Sequence, residues 1–376
     1  MNHFDPVKIQ PRAWSILSRS FSAGRVASTY LFYGPDGLGH WPLAVSFAAL
    51  LNCLEPAGDG ESGLVTPCAR CRHCRNIFAL NFEGLYFALP IRSHKSSDEM
   101  IELTGEVLQE KREEPFRIVL SPSPTSIPIR MARDIKKALS LKGGEGITRV
   151  VLFYRMEKMK ASSADALLKL IEEPSSNTVI ILTATRPDTL LATIQSRAQK
   201  VRLDGISESA AVAYLASKYG TREDRARLVV RLSQGNIGKA IAMTDDTDEP
   251  DSSRRAVGFL LFRSLFTETR PAAIALLTKL ISPNDRSAAE ELLVLWQSLL
   301  RDCAYYAATG DGDALVNIDF ASELIKIARF FERTQLAVHM TAAVKNALAD
   351  LYLNVHIQTA LAALVLTLKS RIPVAG

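Results

Sequence analysis

The sequence predicts an α/β domain on a parallel sheet with an inserted four-cysteine module, then a small helical domain and an all-α C-terminal domain. Three observations predict it. Short β-branched and aromatic runs alternate with helical patterns through the first half of the chain. Strand signals then stop after Leu203. Finally TDDTDEPDSS (244–253) carries five acids and a proline in ten residues, which is linker composition, and beyond Arg254 only helical periodicity remains. The expected domains are 1–203, with the cysteine module at 53–74 and an insertion at 84–126, then 204–247, then 254–376.

YLFYG (30–34) reads as a buried strand ending in a glycine turn. WPLAVSFAALLNCL (41–54) has helical spacing, with Pro42 tolerated in a first turn where its missing N–H would be unpaired anyway. IPIRMARDIKKALSL (127–141) is a second amphipathic helix, and RVVLFY (149–154) a strand too apolar for an exposed edge. SSADALLKLIEEP (162–174) is a third helix, capped by Ser162 or Ser163 and stopped by Pro174. TVIILTA (178–184) is another buried strand, and residues 206–243 read as a group of helices. The segment 84–126 mixes a possible short helix with proline-rich loop and reads as a surface insertion.

Between Gly34 and Gly39 the spacing is that of a phosphate-binding loop, G-x-x-x-x-G-K-[ST], in its expected place between strand and helix. The Lys and Ser/Thr positions, however, hold His40 and Trp41. A nucleotide hydrolase built this way would also place acids at the end of the 149–154 strand to hold magnesium and polarise water, and here those positions are Tyr154 and Arg155. With cation, hydroxyl and acidic pair absent together, hydrolysis is not expected. Glu172 and Glu173 close a helix at its negative end, where acids are disfavoured, so helix stability does not explain them.

Four of the five cysteines follow C-x14-C-x2-C-x2-C: Cys53, Cys68, Cys71 and Cys74. Four thiolates suit a tetrahedral zinc ion, and the two-residue gaps let one tight turn supply neighbouring ligands. Arg70, Arg72 and Arg75 would partly offset the site's negative charge, and His73 is expected to be exposed, outside the ligand set. A closed four-thiolate site has no catalytic position, so the metal is structural. Cys303, alone in an apolar helical stretch, is expected to be a buried thiol.

The cysteine module after the loop helix, ALLKLIEEP (166–174), IILTAT (180–185) and TLLATIQSRA (189–198) together resemble, in order and spacing, bacterial DNA polymerase III clamp-loader subunits of the AAA+ class over about residues 8–243. In that family gamma and tau keep the loop lysine and acidic pair while the delta-prime type loses them, so the resemblance is to the delta-prime type. The resemblance implies that 204–247 is a lid and 254–376 an oligomerisation collar. It implies that Ser196 and Arg197 match the family's S-R-C motif, with Ala198 for the cysteine, and that Arg197 is a finger delivered in trans to a neighbour's nucleotide. Gly238 falls where the family carries a sensor arginine. The implied role is a subunit with zinc but no ATP of its own, not itself an enzyme. Its implied partners are gamma/tau and delta subunits, the sliding clamp and, through the complex, primer-template DNA.

The net charge of +5 permits nucleic-acid contact without arguing for it. No apolar run reaches membrane-span length and the N-terminus lacks the order of a secretory signal, so no membrane partner and a cytoplasmic location are expected. Two other readings stay open. One is a gamma/tau-like ATPase with an unusual loop, although neither His40 nor Trp41 supplies a permanent ammonium or a magnesium hydroxyl. The other is a standalone zinc-containing DNA-binding protein, which the weak net charge supports little.

Overall fold

Five parallel strands carry the first half of the chain: β1 (Thr29–Tyr33), β2 (Leu85–Ala88), β3 (Arg149–Phe153), β4 (Thr178–Ala184) and β5 (Gln199–Arg202), ordered β2-β3-β4-β1-β5. Register pairs Leu31 with Leu182, Leu152 with Ile181 and Phe87 with Leu152. The computed structural model describes residues 5–58, 63–93, 96–118, 124–141, 144, 146–159, 170–171, 175–244, 254–331, 334–353 and 355–372.

Because side chains alternate across a strand, each strand feeds two cores. Tyr30, Phe32, Val150, Leu152, Val179 and Ile181 face one side, where Trp14 and Leu17 of the Pro11–Ser22 helix and most of the His40–Leu51 helix cover them. Leu31, Val151, Phe153, Ile180 and Leu182 face the other, under Met100 and Leu103 and the Met131–Leu139 stripe of the Ile129–Ser140 helix. Both sheet faces are buried, which is why these strands read as continuous apolar runs. The end of the 129–140 helix is held by Arg149, whose buried guanidinium donates to the carbonyls of Leu139, Leu141 and Ser176.

The segment 84–126 is a correction to the reading of a surface insertion. It supplies edge strand β2, buried in part against β3, and a helix of 17 residues, Ser97–Glu113. Ser96 caps that helix by accepting from the Glu99 N–H at 3.1 Å, with Asp98 and Glu99 in the first turn and Lys111 and Arg112 in the last, each complementing the helix dipole. Of the 162–174 helix, Leu170 and Ile171 are helical and buried; Ser162, Ser163, Glu172, Glu173 and Pro174 lie outside the described residues.

The chain divides into two units, Met1–Asp245 and Asp246–Gly376. Helices Glu208–Tyr219, Glu223–Leu232 and Ile237–Thr244 fall in the first unit around a core of their own, Ala211, Leu215, Val229 and Ile237, which Ile9 and Phe116 join. Among its described residues the second unit's regular elements are all helices, and they pack around Phe262, Trp296 and Leu361, with Cys303 buried among them in no disulfide. Among the described residues no helix is long and apolar enough to cross a membrane.

Candidate functional site

The loop after β1 turns through Gly37 and Gly39, with φ of 89° and 99°, a left-handed region that a side chain would strain. Gly39 caps the 40–51 helix. The two residues in the lysine and hydroxyl positions face the core. His40 and Trp41 are 4% and 2% exposed; the indole stacks on Phe87 of β2 with centroids 5.3 Å apart and meets the Tyr154 ring edge-on. Burial lowers the His40 imidazole from 6.5 to about 4, Asp36 opposing and Lys111 assisting, so at neutral pH it carries no charge for a phosphate.

Where an acidic pair would stand, Tyr154 and Arg155 instead grip the loop's own acid. The Tyr154 hydroxyl donates to Asp36 Oδ1 at 3.3 Å, and Arg155 Nη1 lies 3.4 Å from Oδ2. Arg155 has a left-handed φ of 56°, and its N–H donates to Thr183 Oγ1 at 2.8 Å. A non-glycine residue held there is strained, and in this chain the conformation presents a cation to the loop. A third group, Lys111 from the end of the 97–113 helix, donates to the Tyr154 hydroxyl at 3.1 Å with its ammonium 4.7 Å above that ring. Burial lowers Lys111 to about 8 while the Asp36 and Glu110 carboxylates oppose the shift.

Above this cluster the small helical group closes on the loop. Gly238 donates its N–H to the Gly37 carbonyl at 3.0 Å, and Asn236 Nδ2 donates to the Asp36 carbonyl at 2.7 Å. A Cβ at Gly238 would sit 2.7 Å from Gly37 Cα and 2.7 Å from the Phe116 carbonyl oxygen. The residue is a glycine because the backbones meet there; an arginine has no room in this arrangement. On the other flank, the buried Gln10 amide donates to the carbonyls of Leu38 and Asp204, joining the loop to the chain that leads into the small helices. Asp36, Lys111 and Phe116 carried no sequence signal; they meet only through the fold.

His40 gives this closed site a pH signature. A folded-state pKa below the unfolded value means stability is full above about pH 6.5 and is lost as pH falls toward 4, about 3 kcal/mol over the whole range. Between about pH 7 and about pH 5, urea unfolding of the wild type should lose about 2 kcal/mol more than that of His40→Asn. Equal losses in the two proteins would contradict a neutral buried imidazole.

The four sulfurs of Cys53, Cys68, Cys71 and Cys74 all lie within 4.8 Å of one another, those of Cys68 and Cys74 4.0 Å apart. A tetrahedron with ~2.3 Å zinc–sulfur bonds has edges of about 3.8 Å, so the donor set fits. Backbone N–H groups of Cys68, Cys71 and Cys74 point at the sulfurs of Cys53, Cys68 and Cys71 at 3.3, 3.3 and 3.4 Å, satisfying sulfur lone pairs that a metal leaves over. Burial resists ionisation of Cys71, but N–H donors from Cys74 and Leu54 and the neighbouring thiols outweigh it and bring the thiol to about 6; burial pushes Cys74 the other way. The module is anchored from outside by Ser18 Oγ and the Trp14 indole, which bond the N–H and carbonyl of Val65. Arg70, Arg72 and Arg75 are exposed, Arg70 paired with Glu55. His73, expected to be exposed, is half-buried: its Nδ1 bonds the Asn52 carbonyl at 2.9 Å and its ring tilts against Phe82.

Ser196 and Arg197 follow the single helical turn Ala192–Gln195, both exposed. Arg197 Nη1 donates to the Thr193 carbonyl at 3.0 Å, and Ala198 packs in part against the sheet core. The loop and the four cysteines are each brought together by the fold, as separate sites.

Residues 9–207 match the family described as DNA polymerase III, delta subunit. The chain belongs to that family. DNA polymerase III subunit delta' of Bacillus subtilis (strain 168) is 24% identical over 250 residues, 66% of this chain and 64% of the relative. Subunit delta' of Pseudomonas aeruginosa is 31% identical over 191 residues, 50% of this chain and 47% of the relative. The match thus spans between about half and two thirds of these relatives' length. Subunit tau of Escherichia coli (strain K12) is 27% identical over 64% of this chain and 32% of its own. A solved gamma-subunit-related protein of Thermotoga maritima overlaps 77% of this chain and 94% of its own at 17% identity with a TM-score of 0.28, too slight a likeness to add to the fold. Family membership rests on the α/β unit, and both the closed loop and the four cysteines lie within the matched residues.

Proposed function

We propose that this chain is a delta-prime-type subunit of the DNA polymerase III clamp loader that neither binds nor hydrolyses ATP itself. It helps load the sliding clamp onto primed DNA and delivers Arg197, with Ser196, to the nucleotide of a neighbouring gamma/tau-type subunit. The observation that carries the reading is the seating of Gly238 on Gly37, which leaves the loop covered by the chain's own backbone. Three further features support it. The lysine position is a neutral, buried histidine. The acidic positions hold Tyr154 and Arg155, turned to the loop's own carboxylate. Arg197 is exposed on a short turn, from which it can extend to another chain.

In this reading the frame of a nucleotide site survives because its fold is needed, while the chemistry belongs to adjacent subunits. Cys53, Cys68, Cys71 and Cys74 would hold a structural zinc ion that supplies folding energy to its module and no reaction step. Residues 204–247 would be the lid and 254–376 the collar through which the subunit joins gamma/tau and delta, with cytoplasmic replication as its setting. Reconstitution tests the assignment. The chain should enter a stable complex with the gamma/tau-type and delta subunits of its own organism, and omitting it should abolish clamp loading on primed DNA. Loading at full rate without it, or its failure to join, would contradict the proposal.

A further inference from the structure

Residues 110–118, inside the 84–126 segment, meet the closed loop from three directions. Phe116 lies directly over the second loop glycine: a Cβ on Gly39 would be 2.8 Å from its Cε1. The ring is 2% exposed, belongs to the core of the small helices and meets Tyr214 edge-on at 5.0 Å. Ile118 fills the space above Gly37, whose Cβ would be 3.1 Å from its Cδ1. Glu114 is held by the 208–219 helix, 3.3 Å from Lys218 Nζ and accepting from the Tyr219 hydroxyl, while Lys218 also donates to the Glu113 carbonyl at 2.5 Å. From below, Lys111 Nζ donates to the Arg117 carbonyl at 2.6 Å and so closes the turn on itself.

We infer that residues 110–118 form a strap that acts as a built-in ligand of the loop cleft and latches the small helical domain shut in the absence of any nucleotide. Lys111 supplies a buried cation near a loop that has lost its own. Phe116 and Ile118 supply apolar contact to both the loop and the small helices, and Glu114 fixes the nearest helix by charge and hydrogen bond. Here side chains of the strap itself bridge the loop and the small helices. The inference rests on the proposed closed, nucleotide-free reading of the loop and adds what holds it closed.

The test is amide hydrogen exchange on the full-length, zinc-containing chain. In Phe116→Ala, exchange of the loop 34–39 and of the helices 208–219 and 237–244 should rise at least tenfold, with the 254–371 helices unchanged. Should that variant fail to fold, Glu114→Gln, which keeps the apolar contacts and weakens only the tie to Lys218 and Tyr219, should raise exchange severalfold in 208–219 alone. Unchanged protection of loop and small helices in a folded variant would overturn the strap. Wild-type reconstitution, which this variant does not enter, reports separately on the proposed function.

Discussion

Arg197→Ala, assembled into the full complex, is expected to assemble normally yet lose part of the DNA- and clamp-stimulated ATPase and more of the clamp loading. Its own fold should barely notice, because an exposed charged side chain on a surface turn contributes at most about 1 kcal/mol. The partner should notice a great deal. An arginine set beside a transferring phosphoryl group stabilises its developing charge and is worth about 10³–10⁵ in rate in related sites. Only the site facing this subunit would be affected, so total hydrolysis falls in part, while loading falls further if all sites must fire in order. Lysine at 197 should rescue poorly, because a point charge lacks the planar fork that grips two oxygens. If hydrolysis and loading are both unchanged in an assembled Arg197→Ala complex, the arginine is a solvated charge and its trans role fails.

Cys71→Ser is expected to remove the metal and unfold the 53–78 module together. Structural zinc binding by small domains is worth about 10–16 kcal/mol of apparent free energy, comparable with the whole stability of a domain. Cys71 caps the Arg72–Phe78 helix through its sulfur and lies between the two other close ligands, so a weaker oxygen ligand there disturbs helix and metal site at once. Zinc should fall from about one equivalent to a small fraction of it, and the contacts of Trp14 and Ser18 with Val65 should loosen, visible as a tryptophan fluorescence change. The second unit, with its own core around Trp296, should keep its helical signal. Wild-type protein purified without chelator that holds under half an equivalent of zinc would refute the site.

How much of this was legible in the sequence varied with how local the information is. β1, β3 and β4 read clearly because strands buried on both faces are continuous apolar runs bounded by turn signals. The cysteines read clearly because ligand spacing is written along the chain. β2 was missed: LYFA is four residues long and only partly buried at the sheet's edge. The 97–113 helix was read only as a possible short helix because just three of its residues are buried, one of them Lys111, and Gly105 interrupts it, although Ser96 and Glu99 spelled its capping box. Neither Phe116 nor Lys111 was legible at all. A phenylalanine in a connecting turn gives no sign that it enters the core of helices distant in sequence, and a lysine is by default expected at the surface. The loop's missing lysine was visible; that Gly238 and the strap take up the space was not.

The central claim is that this loop is closed to nucleotide, and calorimetric titration of the isolated, zinc-loaded chain with magnesium-ATP tests it most directly. The expected result is no saturable heat up to about 1 mM ATP, meaning any binding is weaker than about −4 kcal/mol. Magnesium-dependent binding in the micromolar range, about −8 kcal/mol, would mean that Gly238 and the strap leave the loop to admit a triphosphate, and would contradict the account.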